Sequence, residues 1–221
     1  MKIIDQKVEV IYPRTLEDGV FEQKMIELAG RNCWRSEGKI TPTSYRRFVD
    51  AMIERGHGTP IEFGHVIMRL TTGRDVLAEI TRHRLASFCV ESQRYVNEGK
   101  EEGGIKFIRP LFYKPFDPYY DYKSGDKAYE ASRIWDDAME NAEQYYNTLI
   151  AGGMKNEDAR KVLPNSCATT IFMKVNLREL RHIYALRSAT SAYPEIRELM
   201  RLMKIEIDKV LPGFLPEKEE K

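Results

Sequence analysis

Several features that would assign a function quickly are missing from this sequence. Cysteine is scarce: Cys33, Cys89 and Cys167 are the only three in 221 residues, an odd number spread widely along the chain. With no Cys-x-x-Cys pair and no Cys/His cluster, neither a disulfide framework nor a structural zinc site is indicated, and no metal site is expected. Reduced thiols in a cytoplasmic protein are the expectation. No apolar run is long enough to cross a bilayer. Asp5 interrupts the first residues too early for a secretory signal. An excess of either charge is also absent, since 35 Lys+Arg against 34 Asp+Glu leave a formal charge of +1. Attraction for nucleic acid or another anion must therefore come from local arrangement, and neither nucleic acid nor membrane is an expected partner. There is no G-x-G-x-x-G and no Walker motif, so a dinucleotide would be bound without a Rossmann fold. No repeat or low-complexity linker divides the chain.

The residues that are present have the balance of a globular protein, 42% hydrophobic and 31% charged. Lys7–Tyr12 alternates and is rich in β-branched residues, which predicts a strand ending at Pro13. Val20, Phe21, Ile26 and Leu28 suit a helix that stops at Gly30. A second helix is expected from about Thr43 to Arg55, broken by Gly56-His57-Gly58-Thr59-Pro60. A strand follows over Ile61–Thr72, with Val66, Met68 and Leu70 on one face, and then a short helix carrying Val76, Leu77 and Ile80. Beyond a short strand at Ile105–Ile108, residues Tyr113–Gly125 read as an irregular connection. A long helix is expected from Asp126 to Ile150, a short one over Glu157–Val162, a strand at Thr169–Val175, and helices at about 177–187 and 194–210. The charged tail from Pro216 reads as frayed. The order is mixed, without regular βαβ alternation. It predicts one α+β domain over 1–221, with a small, mainly antiparallel sheet flanked by long helices.

The densest polar cluster is Arg82-His83-Arg84, followed after seven residues by Ser92-Gln93-Arg94-Tyr95. The arginine fork pairs bidentately with phosphate and stays charged at any working pH. A helix ending in this triplet and followed by a polar loop is suited to gripping anions. A solvated or salt-bridged surface is the plainer alternative for such a cluster.

The spacing Arg-His-Arg, seven residues, Ser-x-Arg resembles the signature of the flavin-dependent thymidylate synthases. Other segments agree in order and approximate distance. His57-Gly58-Thr59-Pro60-Ile61-Glu62 is similar to the family's His-x-x-Pro-x-Glu turn, and Arg160-Lys161-Val162-Leu163-Pro164 to its Arg-x-Val-Leu-Pro segment. Asn176-Leu177-Arg178, His182 and Arg187 match its C-terminal block. The resemblance covers roughly residues 20 to 200.

It implies that Arg82, His83 and Arg84 hold FAD, with further flavin contacts from Thr59, Val90, Asn176, Leu177, Arg178 and His182. It implies binding of dUMP by Glu79, Arg82, Glu91, Ser92, Gln93, Arg94 and Arg160. Arg187 would lie against the uracil ring as the catalytic residue, where a fixed cation favours ionisation of an acidic N–H and stabilises charge developing on the ring. The implied reaction takes a methylene from 5,10-methylenetetrahydrofolate and hydride by way of FAD from NADPH, in a homotetramer with shared active sites. It needs no enzyme nucleophile, and Cys89, inside the motif, is expected to be a packing residue. For His57 and His182 a structural imidazole is the alternative, and for Arg187 an ion pair with Glu195 or Glu198. Val90, Glu79, Phe63 and Ser191 depart from residues frequent in the family and put individual contacts in question. A different class of function, a catalytically silent nucleotide- or RNA-binding protein, would use the same arginines; the missing basic excess counts against it.

Overall fold

A computed structural model of the chain describes residues 1–100, 102–113 and 125–217, with the backbone alone for 125–130. Its strands and α-helices, in chain order, are β1 (Lys2–Ile4), β2 (Lys7–Tyr12), α1 (Leu16–Cys33), α2 (Ser44–Glu54), α3 (Gly58–Ile61), β3 (His65–Gly73), α4 (Arg74–Ile80), β4 (Ala86–Val90), β5 (Lys106–Ile108), α5 (Gly125–Ala151), α6 (Asn156–Ala159), β6 (Ala168–Asn176), α7 (Leu177–Arg187) and α8 (Pro194–Asp208). At 52% helix and 18% strand, with a small antiparallel sheet, the expected α+β class holds. The order in the four-stranded sheet is β2-β3-β6-β4, and β1 pairs separately with β5. No helix among the described residues is long and apolar enough to cross a membrane.

The chain divides into two compact units, interleaved in sequence. The first comprises Met1–Lys7, Thr71–Thr81 and Val90–Ile171. Here β1 and β5 run parallel, with Ile3 opposite Phe107 and Ile4 opposite Ile108. The amphipathic helix α5 lays Trp135, Met139 and Tyr146 on Ile105, Phe107, Ala159 and Cys167. Phe107 meets Trp135 edge to face at 6.5 Å, an arrangement aromatic pairs favour. Trp135 satisfies its indole N–H on Ser166 Oγ at 3.2 Å. Glu143 of the same helix accepts the Ile105 N–H at 2.7 Å, fixing the start of the β5 segment.

The second unit comprises Val8–Leu70, Arg82–Cys89 and Phe172–Lys221. Its first helix opens with a capping box, in which Thr15 accepts from the Asp18 N–H and Asp18 accepts from the Thr15 N–H. Alternation along β3 buries Val66, Met68 and Leu70 completely, as their spacing predicted. The helices α7 and α8 bury Leu180, Ile183, Ile196, Leu199, Met200, Met203 and Ile207.

Three local expectations are corrected. The first helix does not stop at Gly30 but continues to Cys33. Gly30 is a contact residue, because a Cβ there would lie 2.5 Å from the Phe48 ring. The breaker before β3 is partly helical: Gly58–Ile61 makes one turn, so the strand begins at His65 and not at Ile61. The arginine triplet does not end a helix and is not followed by a polar loop. Helix α4 stops at Ile80, and Ala86–Val90 is a strand, with Ala86, Phe88 and Val90 half-buried and Ser87 and Cys89 exposed. The run of five is short, and with small Ala86 facing in and Cys89 facing out the contrast between its two faces is weak, so its period of two does not stand out. Residues 114–124 of the expected irregular connection, and 218–221 of the tail, lie outside the described residues.

Candidate active site

The turn between Ile80 and Ala86 puts Arg82, His83 and Arg84 in different surroundings. Arg82 and Arg84 are exposed, and among the described residues neither forms an ion pair. His83 between them is 6% exposed. Its Nε2 accepts a hydrogen bond from Arg187 Nε at 3.1 Å, across 104 residues of sequence. Its Nδ1 lies 3.5 Å from Glu179 Oε1, and its ring meets His182 edge-on at 6.1 Å. Burial, and then the positive charge of Arg187, push the His83 pKa below its ordinary value, with Glu179 opposing. His83 is therefore neutral at pH 7. Because Nε2 accepts, the proton of the neutral ring sits on Nδ1.

All but His83 in this group come from α7. Asn176 caps the helix by accepting the Glu179 N–H at 2.8 Å, so this residue has a local structural role as well as its expected flavin role. Arg178 and His182, four residues apart and both exposed, fall on one face of the helix. Arg178 donates to Glu62 at 2.6 Å. Its guanidinium crosses Gly58 so closely that a Cβ there would lie 2.5 Å from Nε. The structure thus brings Arg178 to the His57–Glu62 segment, where Thr59 is exposed. His57 stacks on Trp34 with ring centroids 6.1 Å apart. Leu177 is fully buried and presents no polar side chain. Glu198, one alternative partner of Arg187, is engaged by Arg201 at 2.7 Å.

In the other unit, Glu157 joins two of the expected nucleotide ligands. Arg94 donates to its carboxylate at 2.8 Å, and Arg160 donates to its backbone carbonyl at 3.2 Å. Arg94 also lies 5.4 Å from the centre of the Tyr95 ring. Ser92 Oγ accepts the Arg94 N–H at 3.3 Å, shaping the turn. Gln93 is turned inward, and its amide donates to Cys167 Sγ at 3.2 Å. Glu91 pairs with Thr170 through backbone and side chain and lines a 350 Å³ cavity with Lys7, Lys106 and Thr169. Val90 ends β4, and Glu79 is half-buried on α4. Burial pushes the Cys167 thiol up to about 12, while Cys33 and Cys89 are exposed. Cys167 is thus held as a thiol and is no nucleophile at neutral pH. Glu179 and Glu157 were missed in the sequence. A glutamate three residues after a helix-capping asparagine is a weak signal for the first, and none exists for the second.

Similarity to known proteins is extensive. Residues 16–213 match the family described as thymidylate synthase complementing protein. The flavin-dependent thymidylate synthase of Haloarcula marismortui is 32% identical over 197 residues, covering 83% of this chain and 75% of that protein. The enzyme of the same name from Clostridium tetani is 29% identical over 217 residues, covering 87% and 80%. Among solved structures, the UMP/dUMP methylase PolB from Streptomyces cacaoi, bound with 5-Br dUMP, has the same fold. Its TM-score is 0.77 at 24% identity, with 97% of this chain and 95% of that chain covered.

Proposed function

The chain belongs to the flavin-dependent thymidylate synthase family, and from that premise we propose how its residues carry out the reaction. The protein is an enzyme that methylates dUMP to dTMP and uses FAD. The family match, continuous through residues of both units, is the observation that carries this reading and supports treating 1–221 as one synthase domain. The one-carbon donor is 5,10-methylenetetrahydrofolate and the reductant NADPH, in a cytoplasmic homotetramer.

The residues present fit a bound dinucleotide. Arg82, Arg84 and Arg178 offer exposed guanidiniums to its pyrophosphate, and the bare Gly58 backbone lets the Arg178 side chain cross it closely. His83, Thr59, Asn176, Leu177, His182 and Val90 complete the flavin set. When bound, FAD supplies hydride-transfer chemistry, and the protein supplies orientation and charge. Arg94, Arg160 and Ser92 hold the dUMP phosphate, with Arg94 exchanging Glu157 for the substrate. Glu79, Arg82, Glu91 and Gln93 complete the nucleotide set, Gln93 through its anchorage on Cys167.

Arg187 acts on the pyrimidine. Its Nε–H is committed to His83, which fixes the plane of the guanidinium and directs its terminal N–H groups. A cation so held lowers the cost of negative charge on the uracil ring. A neutral His83 is required, since a protonated ring has no lone pair to accept from Arg187.

The experiment is a turnover assay with Arg187→Ala. FAD absorbance should persist while dTMP formation falls about 10²-fold or more. Near-normal turnover would remove Arg187 from the catalytic role. Arg94→Ala should raise the dUMP dissociation constant about 10-fold or more, as expected for a lost charge-assisted hydrogen bond. An unchanged constant would take Arg94 out of the nucleotide set.

A further inference from the structure

His83, Glu179 and His182 are the one group of histidine, cysteine and acidic side chains among the described residues whose ligand atoms all lie within 4.8 Å of one another. We propose that this group is a binding site for a divalent transition-metal ion of the zinc class, and that the metal and Arg187 compete for His83.

The spacing is that of fellow ligands. His83 Nδ1 and Glu179 Oε1 are 3.5 Å apart, beyond the usual 2.7–3.2 Å of an N–H···O hydrogen bond. In a tetrahedral site with bonds of about 2.0–2.1 Å, neighbouring ligand atoms sit roughly 3.4 Å apart. Two imidazole nitrogens and one carboxylate oxygen are the donor set of several open zinc sites, which leave the fourth position to water or another ligand. Glu179 is 9% exposed, so its carboxylate is turned into the group and away from solvent. His182 is exposed, so an ion can reach the group from solvent.

Proton counting sets the competition. A neutral imidazole carries one N–H. With the metal on Nδ1, that proton must move to Nε2, which then donates and can no longer accept from Arg187. The Nε–H of Arg187 therefore has to leave His83 when the metal binds, and charge repulsion favours the same outcome. No redox step is involved; one proton changes nitrogen within the ring. The consequence for turnover, inhibition through release of Arg187, rests on the catalytic reading above. Metal binding itself does not.

Zinc is titrated into the full-length chain against a chromophoric chelator, with and without added FAD. One ion per chain is expected to be withdrawn from the chelator without FAD, and added FAD should weaken binding because both use His83 and His182. His182→Ala and Glu179→Gln should each weaken binding by about tenfold or more, the scale of effects known for groups supporting a zinc site. His57→Ala, which alters an exposed histidine outside the group, should not. Arg187→Gln should tighten binding several-fold because it removes the competitor. Cobalt(II) in place of zinc should give the intense visible absorption of a tetrahedral N/O site, lost in His182→Ala. The proposal is overturned by the absence of a stoichiometric ion, by unchanged affinity in His182→Ala and Glu179→Gln, or by an Arg187→Gln variant that binds zinc no more tightly. Zinc affinity is read without turnover, and dTMP formation is assayed separately with chelator present, so failure of one leaves the other standing.

Discussion

The proton inventory of His83 decides what Arg187 can hold. The ring is 6% exposed and accepts from Arg187 through Nε2, an arrangement available only to the neutral form. Its pKa lies below the ordinary histidine value because burial, and then the Arg187 charge, oppose protonation. The sign follows from linkage. Above about pH 6.5 the ring is neutral in both folded and unfolded chains, and its contribution to stability is fully present. As pH falls through the depressed folded value the unfolded chain binds the proton more readily, so that contribution is lost. NMR titration of the imidazole should show the His83 midpoint below the ordinary histidine value of about 6.5, with Arg187→Ala moving it upward. A His83 midpoint at or above about 6.5 would contradict the arrangement. Arg187 was legible in the sequence through its place in the C-terminal motif. Its partner was not, because 104 residues separate it from His83 and no local rule pairs them.

Among the elements, α7 organises the histidine group: its cap, Asn176, and its members Arg178, Glu179, His182 and Arg187 lie within one short helix. Its span, 177–187, was readable from its periodicity and from the asparagine before it, as β2 and the buried face of β3 were from alternation. The strand β4 was not readable, since its run of five is short and Cys89, facing outward, weakens the contrast with Ala86, Phe88 and Val90. Gly30 shows a different limit. Glycine usually signals a helix end, yet here it admits the Phe48 ring to the side of α1. Gly30→Ala would gain about 1 kcal/mol of helix propensity and incur about 1–3 kcal/mol of overpacking. A net loss of up to ~2 kcal/mol is expected by denaturant unfolding with an unchanged m-value. A variant about 1 kcal/mol more stable, the full propensity gain, would show that the ring accommodates the methyl freely. Glu157 makes the same point for a tertiary contact: it engages both Arg94 and Arg160, and the 94–157 pairing crosses 63 residues with no sequence signal.

Across the whole molecule, the α+β class and the family were readable because their signals repeat along nearly the entire chain. The division into two units was not, because each unit is assembled from three separate segments. The proposed flavin residues belong to the second unit apart from Val90, and the nucleotide residues to the first apart from Arg82 and Arg187. The family match runs from 16 to 213 through both. The most direct measurement is formation of dTMP by the purified full-length chain supplied with dUMP, 5,10-methylenetetrahydrofolate, NADPH and FAD. Product is expected only when all four are present, with the flavin spectrum bleaching on reduction and turnover collapsing in Arg187→Ala. Absence of dTMP from a folded, FAD-loaded protein, or full turnover without FAD, would contradict the assignment.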